Sequence, residues 1–444
     1  MQKNQEYIVT IENLGANGEG VALLDNLPVF VPFALPHEKV KIHILKVLKN
    51  FAYAKLVQVI EPAKERVEPV CKVFTKCGGC QLQHLKYSNQ LDFKTNLVKT
   101  NLKKFAGIDF DVQPCVPSPV CYKYRNKLQM PIGEIDGKIV MGLYAPNSHR
   151  IVPTNSCPLQ DDWCTKLICI VLKYAEISGD SGYSTMQTGN LRHLVSRFVD
   201  GKLVVVIVTT SGKLKSSQTL IDLLKQEFDD FSLFVNKNNS NTNVILGEKF
   251  TLLYGDSEQQ IDNFGIKYKV SPQSFLQVNT LVQNLIYQSV LDEIDQSEVI
   301  VDAYSGAGLL SAIVSRKAKQ VYGIEIVPNA TKNADSLARE NNIKNMTNIC
   351  GDCAVELPKL VEKLDGQNLS IILDPPRKGC DQKVINSLIK VLPQKILYVS
   401  CNSATLARDL KPLLEFYDIN KVTPFDMFPQ TSHVETFVSL TLKK

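Results

Sequence analysis

Two stretches of the chain hold side chains suited to covalent chemistry. In KILYVSCNSATLARDL, Lys395 to Leu410, Cys401 stands where a β-forming run gives way to helical spacing, with Asn402 or Ser403 as the N-cap. A thiol at the carboxyl edge of a strand and the positive end of a helix is expected to have a lowered pKa and greater nucleophilicity. In QTSHVETFVSL, Glu435 interrupts an otherwise clean apolar strand and is the candidate base, ahead of its rival His433. Taken singly, a cysteine more often fills a gap in a core and a glutamate more often faces water. As a pair they suit a two-stage reaction, in which sulfur adds to an electrophilic carbon and a base later removes the proton that lets it leave.

The elements around them set a cofactor beside that pair. From about Val270 apolar strands alternate with helical segments, through EVIVDAY, QVYGIEI, TNIC, SIILDPP and ILYVSC to a last pair, YDINKVTPFDM and ETFVSLTL. This is the rhythm of a doubly wound, Rossmann-like α/β sheet closed by an antiparallel pair. The first strand runs into a G-x-G turn, Gly306 to Gly308, and Ser311 stands where a dinucleotide fingerprint would have its third glycine. Asp302 on strand one, Glu325 ending strand two, Asp352 after strand three and Asp374 in LDPP after strand four form an ordered acidic series at the sheet edge that binds ligands. Glu325 is placed to bind ribose hydroxyls. The series resembles the S-adenosylmethionine-dependent methyltransferase fold, which implies that compound as methyl donor.

The acceptor follows from what is missing. Arg377 follows D-P-P where enzymes acting on exocyclic amino groups carry an aromatic residue, and Cys380 lies too far from Pro376 to match the cytosine-carbon enzymes. Cys401 fits a third acceptor, carbon 5 of uracil, which becomes nucleophilic once a thiolate has added to carbon 6. VSCNSATLARDL, LDPPRKGC and FPQTSHVETF, with VSPQSFLQVNT, YRNKLQMPIG, GLYAPNSHRIVPTNSCPLQ and NLRHLVSRF, resemble the RNA uracil-5-methyltransferase family, in the sort carrying an N-terminal RNA-binding barrel of the TRAM type. The resemblance covers nearly the whole chain. It implies that Cys401 is the nucleophile, that Glu435 is the base, and that Gln277, Tyr304, Glu325 and Asp374 contact S-adenosylmethionine. It also implies uridine in RNA as substrate, 23S ribosomal RNA ahead of transfer RNA. A catalytically inactive RNA-binding or ribosome-assembly factor is the non-enzymatic alternative. Where the family reads S-C-N-P this chain has Ser403, which starts a helix as readily as proline.

CKVFTKCGGC spaces Cys71, Cys77 and Cys80 as a compact three-ligand set, with Cys157 in NSCPLQ the preferred fourth because a Cys-Pro pair recurs at cluster ligands. Cys115, Cys121, Cys164 and Cys169 compete for that place. Spacing leaves zinc and an iron–sulfur cluster equally open. The family resemblance implies a [4Fe–4S] cluster on Cys71, Cys77, Cys80 and Cys157. Ahead of this set, Glu6 to Ile60 reads as the short strands of a small barrel, with Lys39, Lys41, Lys46, Lys49 and Lys55 on one basic face. Arg125, Lys127, Arg192 and His193 are further candidates to hold RNA.

The expected organisation is a TRAM-like, OB-like β-barrel over residues 1–62 and a central α+β domain with the metal cluster over 63–269. Part of 85–112 packs on the catalytic domain, the methyltransferase unit of residues 270–444. A net charge of +5 permits a nucleic-acid partner without demanding one. No apolar run has the length of a leader or a bilayer span, so a membrane is excluded and the cytoplasm is the expected location. Twelve cysteines in a reducing compartment point to metal binding or catalysis. A monomer is expected.

Overall fold

The computed structural model describes residues 1–184, 188–295, 299–364 and 366–444. Its C-terminal sheet has seven strands: β1 (Val299–Ala303), β2 (Gln320–Glu325), β3 (Met346–Cys350), β4 (Leu369–Leu373), β5 (Lys395–Ser400), β6 (Tyr417–Phe425) and β7 (Glu435–Leu442). Their order across the sheet is β3-β2-β1-β4-β5-β7-β6. The first five run parallel, and β7 is antiparallel to both of its neighbours. Every residue of β1 and β4 is buried, as central parallel strands covered on both faces require. The order reverses between β1 and β4, so the ligand crevice opens outside their carboxyl ends.

A helix from early in the chain belongs to this sheet. Val98 of the Tyr87–Asn101 helix and Leu102 of the π-helical turn after it are buried in one core with Leu406, Leu410 and Val438. Asn101 Nδ2 donates to Ser403 Oγ at 2.8 Å. From the same helix Lys94 forms a fully buried ion pair with Asp426 and donates to the Phe428 carbonyl at 3.1 Å. One turn away, Gln90 Nε2 donates to Gln430 Oε1 at 2.9 Å, and Gln90 Oε1 accepts from Gln430 N at 3.0 Å. Gln430 has a φ of +71°, and its carbonyl accepts from the N–H groups of Gln81 and Leu82 at 3.1 and 3.0 Å. The loop between β6 and β7 is thus held by segments far back in the sequence.

Two further sheets precede the catalytic one. Residues 6–61 form six strands, with Lys39–Val47 and Ala52–Glu61 as the long hairpin. Val40, Ile42, Ile44, Ala52 and Ala54 point inward, while Tyr53 and Lys55 point out, the period-2 alternation of half-buried strands. A seven-stranded sheet follows. It includes adjacent antiparallel strands Lys127–Ile135 and Leu191–Val199, and helices Asp162–Ser178 and Ser217–Lys225 cover one face. The hairpin Gln259–Asn263 with Ile266–Val270 packs against Leu309 and Ile313, just after the G-x-G turn. Among the described residues no helix is long and apolar enough to cross a membrane.

Removing one side of a buried ion pair strands the other charge. Lys94→Ala is therefore expected to lower unfolding stability by about 3–5 kcal/mol, and Lys94→Met combined with Asp426→Leu to recover most of that loss, as read by urea denaturation.

Candidate active site

β5 and β7 pair with Ser400 opposite Thr436. Cys401 directly follows β5 and Glu435 is the first residue of β7, so they neighbour that last pair at one end of the strands, and the Glu435 carboxylate acts on the Cys401 thiol. Asn402 caps the Ser403–Leu413 helix, accepting from Ala404 N at 3.0 Å and Thr405 N at 3.5 Å. The helix end does not lower the thiol pKa as expected. Burial pushes Cys401 up to about 11, with Glu435 and Asp374 adding and Arg377 opposing. Two nearby carboxylates and desolvation outweigh the partial charge of one helix terminus. Glu435 is 5% exposed and is pushed up to about 8 by burial, with Asp374 adding and Arg377 opposing. Both groups therefore give up their protons less readily than the same side chains do in water. The rival base His433 is exposed, before the start of β7, with its ring edge-on to Phe428 at 6.0 Å.

The acidic series converges at the crevice, with one exception. Asp302 is buried and pushed up to about 7 by burial, with Asp374 and Glu325 adding. Its partner is Ser311 Oγ at 2.5 Å, the residue standing in for the third glycine. Asp374 directly follows β4 and is raised to about 7 by burial. Glu325 ends β2, accepting from Gly306 N at 2.9 Å and Val327 N at 2.7 Å. A Cβ on Gly306 would meet nothing within 4 Å, so this part of the turn is open to a ligand. A Cβ on Gly308 would lie 2.7 Å from Ala334 Cβ, so that glycine serves helix packing. Tyr304 has a φ of +71° and is half-buried; burial raises its pKa, with Cys380 and Cys353 adding. The Gln277 carbonyl accepts from Asn126 Nδ2 at 2.9 Å, and Asn279 donates to the Met427 carbonyl at 3.3 Å. That loop therefore lies between the central sheet and the β6–β7 loop. The exception is Asp352, which caps the Cys353–Lys363 helix by accepting from Ala354 N at 2.9 Å.

Cys71, Cys77, Cys80 and Cys157 line one cavity of about 330 Å³. Burial raises the pKa of Cys77, with Cys157 and Cys71 adding after it, and pushes Cys80 up to about 12. None of the four competing cysteines lines that cavity: Cys115 packs in the catalytic core, and Cys164 donates to Gln160 Oε1 at 3.1 Å. Among the described residues no three His, Cys, Asp or Glu side chains form a group that could hold a single metal ion.

Two candidates for RNA contact have other work. Arg192 is 7% exposed, lies over the Tyr183 ring at 4.6 Å and donates to the Asn238 and Ser240 carbonyls. His193 is equally buried and meets the Tyr144 hydroxyl at 3.3 Å. Sequence reasoning missed Lys94, Gln90, Asp426 and Gln430, although FPQTSHVETF contains the last of them. It also missed Asp409, whose Oδ2 accepts from Cys380 N and the Tyr398 hydroxyl at 2.7 Å each and so ties the D-P-P loop to β5.

Comparison with known proteins agrees with this geometry. The family model for tRNA (uracil-5-)-methyltransferase matches residues 86–443, and the TRAM domain model matches residues 1–57. An uncharacterized RNA methyltransferase of Clostridium tetani is 42% identical over 99% of this chain and 97% of its own length. One of Clostridium acetobutylicum is 40% identical over the same shares. Among solved structures, the Pyrococcus abyssi tRNA (uracil-54, C5)-methyltransferase in complex with S-adenosyl-L-homocysteine superposes with a TM-score of 0.79 at 26% identity, covering 98% of this chain and 100% of that one. The chain thus belongs to the tRNA (uracil-5-)-methyltransferase family and is an S-adenosylmethionine-dependent RNA uracil-5-methyltransferase.

Proposed function

We propose that the methyl transfer runs through a covalent bond between Cys401 and carbon 6 of the target uracil, with Glu435 as the base. The observation that supports this is the β5–β7 pairing, which ends with Ser400 opposite Thr436, the neighbours of Cys401 and Glu435, together with the effect of the Glu435 carboxylate on the thiol. S-adenosylmethionine supplies a methyl on a sulfonium, whose positive charge favours ionisation of groups beside it. Gln277, Tyr304, Glu325 and Asp374 would hold it. Cys401, its proton released to solvent, would form the carbon 6–sulfur bond as thiolate, and the ring electrons displaced to carbon 5 would take up the methyl as its bond to the donor sulfur breaks, leaving S-adenosylhomocysteine. Glu435 as carboxylate then accepts the carbon 5 proton, the 5,6 double bond re-forms and the sulfur leaves. A protein that only bound RNA would need neither group, which sets the inactive-factor reading aside.

The four cavity cysteines share a space of about 330 Å³, and we assign them a [4Fe–4S] cluster on the family resemblance, with zinc as the alternative. Bound thiolates would relieve the buried thiols of their protons. The role we assign the site is to fix the segment that hydrogen-bonds Gln430, since the proposed transfer needs no electrons.

The substrate we infer is 23S ribosomal RNA, on the combination of TRAM barrel and cysteine cavity. Transfer RNA is the second reading, favoured by the likeness to the Pyrococcus abyssi tRNA (uracil-54, C5)-methyltransferase. Mapping 5-methyluridine in ribosomal and transfer RNA of cells with and without the gene separates them.

Cys401→Ala is expected to abolish transfer while RNA binding persists in a gel-shift assay. Glu435→Gln is expected to leave the enzyme covalently attached to RNA, as a retarded band after denaturation; absence of that band removes Glu435 from the role of base. At pH 9, above the Glu435 pKa, the same substitution takes a negative charge from beside the thiol, so Cys401 should react faster with iodoacetamide. Anaerobically purified protein is expected to contain iron and sulfide and to absorb in the visible, and Cys157→Ser to lose both. Zinc in their place would overturn the cluster assignment.

A further inference from the structure

Lys127 and Arg197 stand directly opposite each other on adjacent antiparallel strands. Like charges in facing positions repel and destabilise a sheet. Both side chains are half-buried, which strengthens that repulsion. Burial, then Arg197 and Arg125, hold the Lys127 pKa down, and burial pulls Arg197 to about 10 with Tyr268 opposing; among the described residues no carboxylate pairs with either. Arg125 and Lys127 also line the cysteine cavity, where a cluster's negative charge would answer them. Arg197 does not line it, so its charge needs another partner.

That partner has a place. Lys127 and Arg197 line a second cavity of about 130 Å³, with Ser271, Ser274, Val204 and Val206. Arg197 Nη1 donates to the Ser274 carbonyl at 2.7 Å, while its Nε is buried without a hydrogen-bond partner. The volume is far below the ~300–1,000 Å³ of sites that enclose a whole ligand, so it suits one compact group. Two fixed cations and an unsatisfied guanidinium N–H make that group an anion. The loop bearing Ser271 and Ser274 runs on directly to Gln277 at the donor site.

We propose that the Lys127–Arg197 cavity seats one backbone phosphate of the RNA, close to the target nucleotide. The inference rests on the RNA-methyltransferase reading. The phosphate supplies the counter-charge this part of the sheet lacks, and a sequence-independent contact there steadies the strand while the uracil turns into the active site.

The test uses full-length Lys127→Met and Arg197→Gln proteins, with single-stranded RNA binding measured across a salt series. Each substitution is expected to raise Kd at low salt and to make the slope of log K against log salt shallower by about 0.7. Affinity for S-adenosylhomocysteine should stay at the parental value in both variants, and visible absorbance should stay so in Arg197→Gln, whose side chain does not line the cysteine cavity. The melting temperature of the RNA-free variants should rise, because a like-charge pair is relieved. Parental slopes in both variants overturn the proposal. So does a loss of S-adenosylhomocysteine affinity, which puts the donor's carboxylate in the cavity, or a loss of absorbance in both variants, which makes the cations partners of the cluster. If the unaltered protein neither binds RNA nor methylates uridine, the functional reading itself fails, whereas a binding, active parent with unchanged variant slopes sinks the phosphate site alone.

Discussion

The antiparallel insertion of β7 beside β5 is the constraint on which the site depends. Strand side chains alternate faces, so a slip of one residue would turn Glu435 away from Cys401 and exchange Phe437 for its neighbours across the sheet. Such a slip is resisted because β7 is buried on both faces. Val438 and Leu440 lie in one core with Val98 and Leu406, and Phe437 lies in another with Ile300 and Leu397. Hydrophobic packing on two sides therefore sets a catalytic geometry that neither reactive group could set for itself.

Around that register the molecule holds two opposed concentrations of charge. Asp302, Asp374 and Glu435 crowd the carboxyl edge of the catalytic sheet and keep their protons to higher pH than carboxylates do in water. On the central sheet, Lys127 and Arg197 face each other without an acid. The first arrangement suits a cationic donor and the second an anionic polymer. Each is an unfavourable local arrangement in the empty protein that the proposed ligand improves, and stable packing elsewhere keeps both in place.

Much of this was legible because it is written in local patterns. β1 and β4 are mostly apolar runs with an acid at or just past the carboxyl end, and the helices after β3, β4 and β5 start at Asp352, Asp381 and Asn402, each accepting from the turn it caps. The Cys401 and Glu435 motifs sit at strand ends that periodicity locates. What escaped depends on distance through space. The thiol pKa moved opposite to expectation because the fold buries Cys401 and brings carboxylates from two other segments near it. Lys94 looks like a solvent-facing lysine of a helix until Asp426 is placed beneath it. Arg192 and His193 looked available to RNA because nothing local shows that a sheet covers them. Cys157 stood above its competitors by a Cys-Pro pair alone, and only the folded chain separates it from Cys164.

The clasp between Gln90 and Gln430 joins residues 340 positions apart in the chain. The cysteine segment beside it, through Gln81 and Leu82, leans on the same distant carbonyl. During synthesis the barrel hairpin can close on itself as soon as it emerges, since its strands are neighbours in sequence. The cysteine segment has early partners too, with Phe74 edge-on to Phe33 of the barrel and Leu82 packed with Leu35, but its bond to the Gln430 carbonyl waits for nearly all of the catalytic sheet to be made. An order of assembly is therefore built into the contacts: the barrel and the cysteine segment can meet early, and the last tie, from that segment to the loop ahead of β7, closes late.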